Sequence, residues 1–230
     1  REVARRKLQG QLKLIINREI AEARRREQER QAQLARQQEE ERKRKLAAQQ
    51  SASDNGAANN TVSAPSNTTA AVTPPRNNNR TYSPLESTPE NVTTSINFEN
   101  RRGSLPWPVG SGIILIPYGK YDIPGTKLVD NNDGIDIGVP VGATVKAVAD
   151  GTVSAVLDLG DERCVMVRHG KYFTAYSHLS AVSVVKNDVV QAGAVVGKAA
   201  ANNDGGGMVH FMVSNEQGSF LNPENWLKGR

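Results

Sequence analysis

The sequence predicts a mainly β protein, with a compact antiparallel β domain over residues 97–230 that follows a long α-helix or coiled-coil arm over 1–50 and a linker over 51–96. Three observations predict it. Residues 1–50 are rich in Arg, Glu, Gln, Ala and Leu, with Gly10 the only glycine and no proline. Residues 51–96 turn to Ser, Thr, Asn, Ala and Pro, and beyond them short apolar runs alternate with turn residues.

The arm has the composition of an exposed helix, and it reads in two halves. Leu8, Leu12, Ile15, Ile16 and Ile20 recur at steps of three and four, so they form one stripe that prefers to be covered. From Glu22 to Lys45 apolar residues nearly vanish, and Arg and Glu spaced three and four apart support a solvated helix or coiled coil. The arm holds 15 Lys and Arg against 8 acids, which leaves the rest of the chain close to neutral within a net charge of +5. This basic run is interleaved with Glu and Gln and carries no aromatic residue, so nucleic acid is not expected as a partner. The linker is expected to be disordered, and its Asn-x-Thr sequons, such as Asn67-Thr68-Thr69 and Asn91-Val92-Thr93, carry no weight in so Asn- and Thr-rich a stretch. With no charged start, apolar run and cleavage site near Arg1, a mature product or an excised fragment is expected. No stretch approaches the roughly 20 apolar residues of a membrane-spanning helix.

Strands are predicted at Thr144 to Val148, Gly151 to Leu157, Cys164 to Arg168, Tyr172 to His178, Ala194 to Lys198 and Val209 to Val213. Asp150-Gly151, His169-Gly170, Asn187-Asp188 and Ala192-Gly193 punctuate them as tight turns. Cys164, the sole cysteine, excludes an internal disulfide and reads as a buried strand residue.

Chemistry is carried by few residues. His178 ends a strand, His210 follows three glycines, and Asp136 follows the turn Asp133-Gly134. By spacing alone the three admit either a zinc site or ordinary local hydrogen bonds. His169, at a turn, has no expected catalytic role.

From Leu105 to Trp226 the chain resembles the zinc metallopeptidases of the lysostaphin and LytM type, which cut peptide cross-links of bacterial peptidoglycan. The resemblance rests on Gly134-Ile135-Asp136-Ile137, the run Gly142 to Val153, Tyr176 to Leu179, Gly193 to Lys198 and Asn222-Pro223. It implies a LytM-like β groove whose zinc is held by an H-x-x-x-D pair and the second His of H-x-H. Asp136 and His210 match two of these ligands and His178 matches a catalytic His, while Asn132 stands at the third ligand position and Met208 at the other catalytic His. An amide has no nitrogen lone pair to give zinc, and a thioether neither donates to nor orients an oxyanion. No metal or other cofactor and no peptidase activity are therefore expected.

Arg102-Gly103-Ser104-Leu105-Pro106-Trp107-Pro108-Val109, behind a long charged helix, is similar to the EnvC-type murein hydrolase activators, whose LytM-like domain is degenerate. This implies a periplasmic, non-catalytic protein that binds N-acetylmuramoyl-L-alanine amidases and relieves their autoinhibition at the division septum. A membrane complex would grip its coiled coil. Asn132, Asp136, His178, Met208 and His210 are then expected to floor a partner-binding groove, with the stripe from Leu8 to Ile20 lying across it at rest. Two alternatives stay open. One is an active peptidase using Asp130 or Asp133 as substitute ligands, and the other is a passive peptidoglycan-binding scaffold.

Overall fold

The computed structural model describes residues 2–53, 83–123, 125, 127–160, 162–202 and 204–229, with the side chains of 2–5 and 48–53 set aside. The expected linker falls largely on 54–82, outside the described residues. Two compact units are present, one formed by Arg1–Ala23 with Ser83–Arg230 and the other by Arg24–Tyr82.

Helix α1 (Glu2–Ser53) runs through both units. Within Arg24–Tyr82 its described side chains are almost all exposed, and ion pairs such as Arg25–Glu29 at 3.5 Å and Lys43–Glu39 at 2.7 Å bridge successive turns. Lys45 holds the exposed Glu41 carboxyl below its ordinary value.

In the other unit the chain re-enters ahead of the boundary expected at residue 97. A 3-10 turn (Pro84–Glu86) leads into α2 (Pro89–Asn100). Thr88 caps α2 by accepting from Asn91 N at 3.3 Å, and Pro89 sits in its first turn, where a missing N–H costs nothing. This start signal was present in a stretch whose Ser, Thr and Asn content reads as linker. Phe98 pins α2 to the β domain, stacking on His169 at 4.7 Å and meeting Trp226 at 4.8 Å.

Among the described residues the β domain has twelve strands: β1 (Ile113–Ile116), β2 (Gly119–Asp122), β3 (Val129–Asn132), β4 (Ile135–Val139), β5 (Thr144–Lys146), β6 (Gly151–Asp158), β7 (Arg163–His169), β8 (Tyr172–Val182), β9 (Val189–Val190), β10 (Val195–Ala201), β11 (Gly207–Asn215) and β12 (Phe220–Leu221). Ten form an antiparallel sheet in the order β1-β4-β11-β10-β8-β7-β6-β9, with β12 and β8 also pairing β11, and β5 pairing β10. The hairpin β2-β3 stands apart as a two-stranded sheet.

Strand alternation sorts side chains between two apolar clusters. Ile135 and Ile137 of β4, Val165 and Val167 of β7, Tyr176 of β8, and Val209, Phe211 and Val213 of β11 enter the main core. Cys164 and Met166 of β7, Phe173 and Ala175 of β8, and Met212 of β11 face the other way, where they meet Leu8, Leu12 and Ile16 of α1. With both faces covered there, β7 and β8 are buried almost continuously.

One polar chain threads the main core. Val148 N donates to the Tyr176 hydroxyl at 2.9 Å, Thr174 Oγ1 lies 3.1 Å from that hydroxyl and 2.9 Å from His169 Nε2, and His169 Nδ1 lies 2.6 Å from Asp150 O. A neutral His169 protonated on Nδ1 satisfies every member, with Tyr176 donating to Thr174 and Thr174 to Nε2. Burial enforces that state, lowering the His169 pKa to about 4 and pushing the Tyr176 phenol up to about 12. His169 is thus a core residue as well as a strand end.

Candidate functional site: a buried polar cluster under a helix

The site is built on β4 and β11. Asp136 lies directly opposite His210 in the ladder, and His210 lies opposite Ser177 of β8. His210 Nδ1 donates to the Asp136 carboxylate, and both side chains are buried. Asn132, fully buried at the end of β3, donates from Nδ2 to Ile116 O at 3.3 Å, and Ile116 is the ladder partner of Asp136. Asn132 Oδ1 and His210 Nε2 find no hydrogen-bond partner among the described residues.

Gly134, between Asn132 and Asp136, makes this turn possible. A Cβ there would sit 2.2 Å from Phe211 O, so only glycine lets β4 start flush against β11.

Met208 lies two residues before His210 on the same face of β11, opposite Gly138 of β4 and Ala200 of β10, and is half-buried. His178 follows Ser177 and takes a left-handed conformation with φ 64°, at an irregularity of β8. Its Nδ1 lies against the Glu162 carboxylate. Sequence reasoning missed Glu162, because only the pairing of β7 with β8 brings the two together.

Since Met208, His210 and Met212 alternate to one side of β11, α1 packs on the sheet face that carries the polar cluster. Leu8, Leu12 and Ile16 are buried there at 4%, 1% and 0% exposure, with Ile15, Ile20 and Ala23 partly buried against them. Leaving water gives each fully buried side chain roughly 1.5–3 kcal/mol. Gln9 Nε2 donates to Asp133 Oδ2 at 2.7 Å, tying α1 to the turn between Asn132 and Asp136. The Lys13 ammonium lies 6.0 Å from the centre of the Phe220 ring.

Residues 130–223 match the model of peptidase family M23. The matched stretch lies within the β domain and covers less than half of the chain. Over 88 residues the chain is 38% identical to an uncharacterized protein of Neisseria meningitidis serogroup B, a match covering 37% of this chain and 15% of that protein. Among solved structures it is similar to a zinc-containing peptidase from Vibrio cholerae, at 25% identity over 54% of this chain and 40% of that one, with a TM-score of 0.47. It is also similar to lysostaphin from Staphylococcus simulans, at 21% identity over 55% of this chain and 54% of that one, with a TM-score of 0.45. A chain of the SpoIIIAH–SpoIIQ complex aligns at 25% identity over 54% of this chain and all of its own length, with a TM-score of 0.46.

The M23 fold implies zinc, and the residues at this site do not fit it. Asn132 offers only an amide oxygen, its nitrogen being committed to Ile116 O, so a neutral amide stands where the resemblance implies an imidazole, and His210 Nε2 is left as the one imidazole donor beside Asp136. The candidate substitutes are also engaged. Asp130 accepts from the Tyr121 hydroxyl at 2.9 Å, and Asp133 accepts from Gln9. Among the described residues, no group of three His, Cys, Asp or Glu side chains is placed to share an ion.

Proposed function

We propose that this chain is a non-catalytic activator of peptidoglycan amidases whose M23 groove is a protein-binding surface, held covered at rest by residues 8–23 of α1. One observation carries the reading: an apolar helical stripe lies on the same sheet face as a polar cluster whose ligand set is broken at Asn132. A seated helix silences a site of either kind until it is unseated, and the amide at Asn132 is what favours a binding surface over a peptidase. His178, the histidine kept from the catalytic pair, is committed to Glu162, and Met208 offers no proton at the other position.

The amidase as partner and the periplasm as location rest on the likeness of Arg102 to Val109 to the EnvC-type activators. The exposed, charged part of α1 after Ala23 suits a grip by a membrane-anchored division complex. Unseating the helix would uncover Met166, Phe173, Ala175 and Met212, a soft apolar surface that adapts to a partner helix. Among the described residues, no helix is long and apolar enough to cross a membrane.

The test is dye release from labelled peptidoglycan by an N-acetylmuramoyl-L-alanine amidase of the same organism, with wild-type chain or Leu12→Glu added and with each protein alone. Charge on the buried stripe should unseat α1, so the variant is expected to stimulate the amidase more than wild type does, while neither releases dye alone. Chelator-sensitive release by the chain itself would make it an enzyme. Binding to sacculi with no effect on the amidase would make it a scaffold.

A further inference from the structure

Residues before Arg24 and residues from Ser83 onward belong to the same compact unit. Both segments share one apolar cluster. Leu8, Leu12 and Ile16 of the outgoing helix and Leu85 of the returning turn are buried with Cys164, Met166, Phe173, Ala175 and Met212, and Ile20 and Ala23 pack on the edge. The return is fixed locally. The buried Ser83 hydroxyl bonds to the Glu216 carboxylate and caps the turn by accepting from Leu85 N at 3.2 Å, and Leu85 itself is 0% exposed.

A close-packed cluster does not lose one wall without loosening the others. We propose that Leu85, held by the Ser83–Glu216 bond, is the second anchor of a latch that seats residues 8–23 of α1 on the sheet. When either anchor is lost, the cluster opens as a unit. This rests on the reading that the seated helix blocks the groove. It adds that the returning chain, far from α1 in sequence, controls the blockade.

Cys164 supplies the readout. It is the sole cysteine, lies in the shared cluster at 0% exposure, and reacts with a thiol reagent only when the cluster opens. Labelling the full chain with an aromatic disulfide should run at least about tenfold faster in Leu85→Ala than in wild type. Ser83→Ala should accelerate it less, and Leu85→Met should label near the wild-type rate. In each variant the near-ultraviolet circular dichroism of Trp107 and Trp226 should be retained.

Labelling of Leu85→Ala at the wild-type rate, alongside fast labelling of Leu12→Ala, would overturn the latch, because the helix would then be held without Leu85. Acceleration that tracks loss of the tryptophan signal would overturn it too, since Leu85 would be supporting the whole domain. Amidase assays separate the two readings: fast labelling of Leu85→Ala without amidase stimulation would keep the latch and remove the activator function.

Discussion

At the scale of single residues, the two buried histidines are held by different partners. His169 is held neutral in the core, and its pKa is lowered to about 4 by burial. Because the folded value lies below the unfolded one of roughly 6.5, the unfolded chain binds the proton first. The stability that neutral His169 provides is present in full above about pH 6.5 and is lost as pH falls towards 4, by roughly 3 kcal/mol for the shift described. Urea midpoints at pH 7 and 4.5 should show this loss, and a His169→Gln variant should show a shallower pH dependence from a lower starting stability. His210 instead faces Asp136 in a site that the neighbouring glycine makes possible. Gly134→Ala would drive a methyl into the Phe211 carbonyl, so a cost of about 3 kcal/mol is expected in thermal unfolding. Asn132, Asp136, Met208 and His210 could be singled out in the sequence because each sits in a short motif. Glu162 could not, since its partner His178 comes from the next strand.

At the scale of elements, α1 shows how much a stripe of apolar residues can say before its target is known. Leu8, Leu12 and Ile16 at steps of four announced a covered face, but the covering surface is drawn from β7, β8 and β11. Leu12→Ala should weaken the seating of the helix by about 3 kcal/mol, seen as faster Cys164 labelling with the melting of the β domain little changed. The pairing β1-β4 escaped the strand reading for a related reason. Ile113 to Ile116 is only four residues long, and β4 follows a turn whose Gly and Asp read as a motif more than as a strand start. The longer strands β6, β7, β8 and β11 were legible from their apolar runs, with ends extended by ladder pairing that local preference does not encode.

At the scale of the whole molecule, the β domain and the first turns of α1 make one compact unit, and Arg24–Tyr82 is assigned to another. The 230-residue chain incubated with zinc and dialysed should retain well under one equivalent by elemental analysis, because Asn132 offers an amide where zinc prefers an imidazole. One equivalent removable by chelator would contradict the donor chemistry assigned to the site. The sequence by itself determined the β class of the domain, the charged helical arm and the short motifs in which Asn132 and Met208 stand, since each is written in local pattern or residue identity. Only the tertiary structure decided that α1 lies on the face of the site, that Leu85 returns to the same cluster and that Glu162 occupies His178. Those contacts join segments tens of residues apart, and strand pairing and apolar burial select them only once the sheet has formed.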